Sequence, residues 1–275
     1  MLGKVIGFGR TAEIREWGDG RVVKLFHPGF PQAAIEREAS AAALAHSLGV
    51  PTPALFQTVE VDGRLGIVFQ RVSGTTMLQD LARRPWMLLS HAYGLARLQA
   101  HLHQMEGSGL PDLRERLARR IERSSVLTPA EKAAIVRRLG DLPDGDALCH
   151  GDLHPDNVVL TRSGPVLIDW MNAACGHPAA DAARTAITLR LSLPPEGQMS
   201  AWVALGRCLF YRLYLRHYLR IGPASACQLL AWELPVAADR ACEGLPRKEV
   251  QALYALVASR PDKTPQGPEA LPPAG

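Results

Sequence analysis

The stretch Cys149-His150-Gly151-Asp152-Leu153-His154-Pro155-Asp156-Asn157, followed by an apolar strand and then by Leu167-Ile168-Asp169-Trp170, decides how this chain reads. Two aspartates and an asparagine share one hairpin-length segment, and a third aspartate closes the next apolar run. Such a segment can aim one carboxylate at a hydroxyl nucleophile while an amide oxygen and another carboxylate hold Mg2+, an ion that asks for hard oxygen ligands in octahedral array. This is the spacing of phosphoryl-transfer chemistry. Asp, Asn, Gly and Pro also recur in turns for backbone reasons alone, and Asp156, where nothing in the pattern requires a carboxylate, reads as a turn residue. The five-residue step from Asp152 to Asn157 and the following Asp169 agree instead with a single mechanism.

Upstream of this segment, Lys4 to Phe26 consists of short apolar runs split by Gly7, Gly9 and the turn Gly18-Asp19-Gly20, the pattern of consecutive antiparallel strands. Pro31 to Leu48 changes to helical spacing, with Ile35, Ala39, Ala42, Ala43 and Leu44 on one face and Gly49 just past the end. A second hairpin, turning at Asp62-Gly63, spans Ala54 to Val72. Helical periodicity then dominates: Met77 to Arg83, Pro85 to Glu106, Pro111 to Ser124, Pro129 to Arg138, Asp181 to Arg190, Gln198 to Arg220 and Ala224 to Gly244. The decisive segment is thus a hairpin, Asn157 to Thr161 and Pro165 to Ile168, embedded among helices. The expected division is residues 1–72 as a small sheet with one helix, 73–260 as a helical region, and 261–275 as a flexible tail with five prolines and two glycines.

The segment resembles the catalytic loop and metal-binding Asp of protein kinases, and more closely the aminoglycoside phosphotransferase and choline kinase-like families, whose signature runs H-G-D-x-x-x-x-N and then I-D-[WFL]. The resemblance covers residues 1 to about 258 in order: glycine hairpin, strand lysine, helix glutamate, linker, helical lobe, H-G-D loop and I-D-W. It implies an α+β, bilobal protein-kinase-like fold, with a small antiparallel-sheet N-lobe and a larger α-helical C-lobe. It implies Asp152 as catalytic base or hydroxyl-orienting residue, Asn157 and Asp169 as Mg2+ ligands, and His150 as a prop beneath the loop. Lys24, alone among apolar residues in Val22-Val23-Lys24-Leu25-Phe26, becomes the cation that positions nucleotide phosphates. Glu38 rather than the solvent-facing Glu36 becomes its partner. Gly7 and Gly9 become the phosphate cover, and backbone groups near Gln70 to Val72 meet the edge of the adenine or guanine base. Asp181 reads as a helix N-cap or structural residue that braces the loop. The implied reaction moves the γ-phosphate of ATP or GTP to a hydroxyl of a small molecule. The missing A-P-E segment speaks against a peptide acceptor.

Other sites fit less well. Ile6-Gly7-Phe8-Gly9 with Ala12 looks like a dinucleotide fingerprint, but the chain proceeds to another strand rather than opening a helix. The loop also lacks the third glycine of protein kinases, and no G-x-x-x-x-G-K-[ST] occurs, which excludes a P-loop kinase. His150, His154 and His177 with Cys149 and Cys175 match no zinc spacing. A nucleotide-binding pseudokinase would have lost one of Lys24, Asp152, Asn157 or Asp169, and a metal-dependent hydrolase would turn over without nucleotide.

The 275 residues are 47% apolar and 21% charged, an ordinary folded composition. The net charge of +4, with basic residues clustered on helix surfaces such as Arg114 to Arg123, reads as solvated faces rather than a nucleic-acid patch. No leader pattern and no apolar run of about 18 residues is found, so neither export nor membrane insertion is expected. Five widely spaced cysteines fit free thiols in a reducing, cytoplasmic setting. The helices after Asp181 are rich in Arg, while Glu196, Glu233, Asp239 and Glu243 are scattered. That sparsity favours a neutral or anionic phosphate acceptor, such as a sugar or other metabolite, with an aminoglycoside or amino alcohol as the alternatives.

Overall fold

The computed structural model describes residues 2–192, 200–245 and 247–258. Strands β1 (Val5–Phe8), β2 (Ala12–Glu16) and β3 (Arg21–Phe26), helix α1 (Gln32–Ser47), and strands β4 (Leu55–Val61) and β5 (Arg64–Gln70) build an antiparallel sheet in the order β1-β2-β3-β5-β4. The β4–β5 turn uses Asp62 and Gly63 at φ +50° and +71°, the left-handed pair that lets a two-residue turn follow the strand twist. Side chains alternate across β3: Val23 and Leu25 pack with Val68 on one face, while Phe26 packs with Ile67 and Ile35 on the other. Lys24 pairs directly with Ile67 in the register and therefore lies on the face covered by α1. The buried stripe of α1 runs Ile35, Glu38, Ala41, Ala42 and Ala45, so it takes a carboxylate into an otherwise apolar surface. A buried carboxylate needs a partner, and the alternation of β3 supplies it in Lys24.

Beyond Val72 the chain is mainly helical. In order follow β6 (Thr75–Thr76), α2 (Met77–Arg83), α3 (Leu88–Leu102), α4 (Leu113–Glu122), α5 (Pro129–Gly140), β7 (Ala147–Cys149), β8 (Val158–Thr161), β9 (Gly164–Leu167) and β10 (Ala174–Gly176), then α6 (Pro178–Leu191), α7 (Ala201–Ile221), α8 (Ala226–Ala241) and α9 (Arg247–Ala258). Helix α3 packs on α7, and α6 on α8, around a core that includes Leu95, Trp170, Tyr214 and Trp232. This is the α+β class expected, an antiparallel sheet ahead of a larger helical part.

The differences from expectation have local causes. The helix expected from Pro85 starts at Leu88, because Pro85–Met87 form a separate 3-10 turn. The helix expected at Asp181 starts at Pro178, with Pro at its first position and the His177 side chain accepting the Ala179 N–H as N-cap. Asp181 therefore lies inside the helix and is not its cap. Strands β7 and β10 are three residues each, too short to show alternation, and become strands by pairing with each other. Helix α9 was not expected at all. Glu196 and the proline-rich tail 261–275 lie outside the described residues.

Candidate active site

Strand β7 ends at Cys149 and delivers His150 into the core, where its side chain is fully buried. His150 Nε2 contacts the Ile168 carbonyl at 3.2 Å, its Nδ1 accepts the Asp152 N–H at 3.3 Å, and its ring packs against Trp170. Burial pushes this imidazole down, so it is a neutral strut between the two halves of the segment. The loop closes with Asn157 Nδ2 donating to the Asp152 carbonyl at 2.9 Å. The β8–β9 register pairs Val158 with Leu167, and the Ile168 N–H reaches the Asn157 carbonyl at 3.1 Å. Asn157 and Asp169 therefore share one end of the hairpin. Asp156 stays on the outside of the turn and accepts from Thr76 Oγ1 at 2.8 Å.

Gly151 adopts φ +76°, and a Cβ there would overlap the Asn172 carbonyl. Its N–H donates to Asp181 Oδ1 at 2.6 Å, while Asp181 Oδ2 takes Gln99 Nε2 at 2.8 Å and lies 3.1 Å from His103 Nε2. His103 in turn meets the Tyr218 hydroxyl at 2.8 Å. Burial alone would raise the Asp181 carboxyl, but His103 and Gln99 outweigh it and hold it at about 2. A fully ionised, buried carboxylate thus anchors the loop to α3 and α7. Gly151→Ala should cost about 2–4 kcal/mol, combining left-handed strain with overlap, read as a lower denaturation midpoint at unchanged slope. Wild-type stability in this variant would contradict the assignment.

Lys24 Nζ lies 2.6 Å from Glu38 Oε1 and 2.8 Å from Asp169 Oδ1, tying the sheet, α1 and the end of β9 together. Asp169 itself adopts φ +68°, a strained conformation for a residue other than glycine, and keeps 43% of its side chain exposed. Burial disfavours the Lys24 ammonium, but Asp169 and Glu38 outweigh it and push its pKa up. Two carboxylates share this one ammonium. Burial, with the Asp169 charge added and only partly offset by Lys24, pushes Glu38 up to about 7. Between its ordinary 4.5 and about 7, the folded chain keeps a proton on Glu38 that the unfolded chain has released, so stability falls as pH rises through that window. Wild type should therefore lose on the order of 3 kcal/mol relative to Glu38→Gln between about pH 4.5 and pH 8. Urea unfolding of both proteins at each pH checks this, and parallel curves would contradict it. Glu36, by contrast, faces solvent and accepts from Gln32 Nε2 at 2.7 Å.

The Asp152 carboxylate is bordered by two guanidiniums, Arg184 Nη2 at 3.4 Å and Arg240 Nη1 at 4.0 Å from Oδ1, and by the His154 ring, whose Nε2 lies 3.7 Å from Oδ2. Burial opposes its ionisation, but His154, Arg184 and Arg240 prevail and hold it well below the usual carboxylate range. Arg184 is itself gripped by Glu243, with contacts of 2.6 and 2.9 Å. The sequence left Asp239 and Glu243 scattered. In the fold, α8 and the turn after it bring both against Arg120 and Arg184. Glu233 goes elsewhere, to Arg190. Arg184 was legible only as a residue three past Asp181 on the same helix, and Gln99, His103 and Arg240 carried no motif.

Gly7 lies in β1 opposite Ile14, and the Gly9 N–H closes the β1–β2 turn onto the Ala12 carbonyl at 2.8 Å. Neither needs a left-handed backbone, and a Cβ on Gly7 would make only ordinary contacts, so the fold itself does not require glycine there. At the far end of β5, the Gln70 N–H is spent on the Ala54 carbonyl and Arg71 on Gly20. Val72 makes no backbone hydrogen bond among the described residues.

A small antiparallel sheet carrying a lysine paired to a helix glutamate, above a helical part that presents an H-G-D-x-x-x-x-N loop and a following Asp, defines a kinase-like phosphotransferase fold. The sequence matches the model of the phosphotransferase enzyme family over residues 9–229, and the chain belongs to that family. It is a phosphoryl-transferring enzyme of the small-molecule kinase type. No curated protein matches it in a sequence search. Among solved structures it is similar to an aminoglycoside-3'-phosphotransferase of type VIII, at 20% identity and TM-score 0.56 over 87% of this chain and 93% of that one. A choline/ethanolamine kinase family protein from Mesorhizobium loti aligns at 18% identity and TM-score 0.58, covering 94% and 87%. An amicoumacin kinase in complex with AMP-PNP, Ca2+ and Ami aligns at 13% identity and TM-score 0.62, over the same shares. At these identities the likeness is one of fold. Among the described residues no helix is long and apolar enough to cross a membrane.

Proposed function

We propose that this protein transfers the γ-phosphoryl group of ATP, with Mg2+, to a hydroxyl of a small molecule, using Lys24, Asp152, Asn157 and Asp169. The observation that carries this reading is the Lys24 ammonium held between Glu38 and Asp169, which joins the sheet to the loop at one charged point. Lys24 then offers its remaining N–H to nucleotide phosphates, with Glu38 fixing its direction. Gly7, which the fold does not itself require to be glycine, and Gly9, where a Cβ would press on the Ala12 carbonyl at 3.3 Å, leave the phosphates room beneath β1. The base edge lies along Gln70 to Val72, where Val72 has backbone groups to offer. Residues 1–72 thus serve the nucleotide and 73–260 the acceptor. The AMP-PNP complex of the amicoumacin kinase supports ATP as donor.

The residues present fit Mg2+. Asn157 spends its Nδ2 on Asp152 and keeps Oδ1, and Asp169 keeps one carboxylate oxygen clear of Lys24, giving two hard oxygen donors at one end of the hairpin. The ion would neutralise charge on the transferring phosphoryl group. Asp152 orients the attacking hydroxyl by accepting its hydrogen bond. Its depressed pKa, set by His154, Arg184 and Arg240 against burial, makes it a weak base, so orientation rather than early proton abstraction is its contribution. The Asp181 brace and the His150 strut keep that carboxylate from drifting. Five unpaired cysteines support the cytoplasm as the compartment.

Mg2+-dependent turnover of ATP and of GTP, measured with a panel of sugars, amino alcohols, hydroxy acids and aminoglycosides, tests the reading. Acceptor-stimulated turnover of ATP supports it. Turnover of an acceptor ester without nucleotide would replace it with a hydrolase, and nucleotide binding without transfer to any acceptor would leave a pseudokinase.

A further inference from the structure

The two guanidiniums beside Asp152 are held by other carboxylates. Arg184, on α6, is taken by Glu243 in a two-point pair, Nη1 at 2.6 Å from Oε1 and Nη2 at 2.9 Å from Oε2, while the same Nη2 stands 3.4 Å from Asp152 Oδ1. Arg240, on α8, places Nη2 at 2.7 Å from both Glu249 Oε1 and Ser192 Oγ, while its Nη1 lies 4.0 Å from Asp152 Oδ1. In each case the contact to the glutamate is the shorter one. The glutamates therefore set where the guanidiniums stand, and Asp152 is oriented against them.

Both glutamates come from one short piece of chain, Glu243 in the turn after α8 and Glu249 in the first turn of α9. Gly244, at φ +66°, turns the backbone between them. Arg120, on α4, adds a second cation to Glu243 at 3.0 Å. The side chains of Glu243 and Glu249 are 6% and 4% exposed, so these are buried ion pairs, which cost desolvation and are weak evidence for a role in stability alone. Glu233, on the same α8 and equally buried, pairs instead with Arg190. Arg240, Glu243 and Glu249 lie beyond the residues 9–229 that match the family, whereas Asp152 and Arg184 lie within them.

We propose that Glu243 and Glu249 are positioning residues for the transfer: by fixing Arg184 and Arg240 they hold Asp152 Oδ1 and leave Oδ2 to take the attacking hydroxyl. This rests on Asp152 being the residue that orients that hydroxyl. Two fixed cations on one oxygen restrict rotation of the carboxylate, the freedom that would let it miss its target. A misplacement of about 1 Å is enough to cost about 100-fold in rate. The segment from 243 to 249 thus acts as a clasp that reaches the reacting centre through the arginines without touching it.

The test is a double-mutant cycle on the full chain. Glu243→Gln, Glu249→Gln and Glu233→Gln are each made in wild type and in Asp152→Ala. ADP formation from labelled ATP with Mg2+ is measured with whichever of glycerol, sorbitol, choline, glycerate and kanamycin gives the highest rate, or with water as acceptor where none exceeds it. In the wild-type background Glu243→Gln and Glu249→Gln should each lower kcat by about 10- to 100-fold, with KM for ATP within about twofold. In Asp152→Ala, where the carboxylate they position is gone, the same changes should lower it less than about twofold, because residues that act through one another are not additive. Glu233→Gln should lower the urea midpoint and leave kcat within about twofold in both backgrounds. If one glutamate variant does not fold, the other carries the test, and if neither folds, Arg184→Lys, which keeps the charge but not the two-point pair, should show the same dependence on Asp152. Equal losses in both backgrounds, or kcat within about twofold in wild type, overturn the proposal and leave the phosphotransfer reading standing. A wild type that forms no ADP with any acceptor would remove that reading and this proposal together.

Discussion

Replacing Asp152 with alanine lowers kcat by about 10³-fold while KM for ATP changes less than about threefold. The reason is positional. Asp152 sits where the H-G-D loop meets Arg184 and Arg240, whereas Lys24, Glu38 and Asp169 form the separate cluster assigned to nucleotide. Removing the carboxylate leaves Glu243 on Arg184 and Glu249 on Arg240, so the buried arginines keep partners and the variant folds. Asp152→Asn keeps the shape and loses the charge, and it should be nearly as slow. Steady-state kinetics with varied ATP and saturating acceptor read both. A kcat within tenfold of wild type would remove Asp152 from the reacting centre.

Asp169→Asn is the second large effect, a loss in kcat of about 10²–10³-fold, the scale for deleting one group that stabilises transition-state charge. Asparagine tolerates the left-handed backbone at φ +68°, so this substitution isolates the charge from the strain. The Mg2+ concentration for half-maximal rate should rise by at least tenfold. A second consequence reaches back to α1. The Asp169 charge is one of the reasons Glu38 sits at about 7, so Asp169→Asn should lower that value and shrink the pH dependence of stability that Glu38 imposes. A purely structural role for Asp169 would shift the Glu38 window and leave the Mg2+ dependence unchanged. An unchanged window with unchanged Mg2+ dependence would contradict the shared-ammonium description.

The parts of this site legible in the sequence are those carried by short, local spacing. Asp152 and Asn157 are five residues apart in one loop, and Asp169 follows a single hairpin, so their proximity needs nothing beyond β8 and β9. Lys24 and Glu38 are fourteen residues apart but sit on a strand and a helix whose periods, two and about 3.6, fix which face each presents. The same periodicity separates Glu38 from Glu36, since Glu38 falls on the Ile35, Ala42 and Ala45 stripe and Glu36 does not.

What surrounds Asp152 was not legible. Arg184 and Glu243 are 59 residues apart on elements whose crossing no local pattern encodes. Their helices do not announce themselves either, because α6 and α8 are buried nearly all round and carry charges on buried positions. Acids that looked scattered in the chain therefore converge in the fold. Asp181 shows the same limit at shorter range: a carboxylate near a helix start reads as a cap, yet Pro178 and His177 take that end, and its real partners lie on α3 and in the loop. Packing rather than propensity set these outcomes.

The most direct test of the central claim is product analysis of the phosphoryl group itself. Wild type and Asp152→Ala are incubated with Mg2+, γ-labelled ATP and the acceptor panel, and the label is followed to the acceptor or to inorganic phosphate. The account predicts label on an acceptor hydroxyl, one label per ADP formed, Mg2+-dependent and lost in Asp152→Ala. Label released only as inorganic phosphate whatever the acceptor, or transfer undiminished in Asp152→Ala, would contradict it.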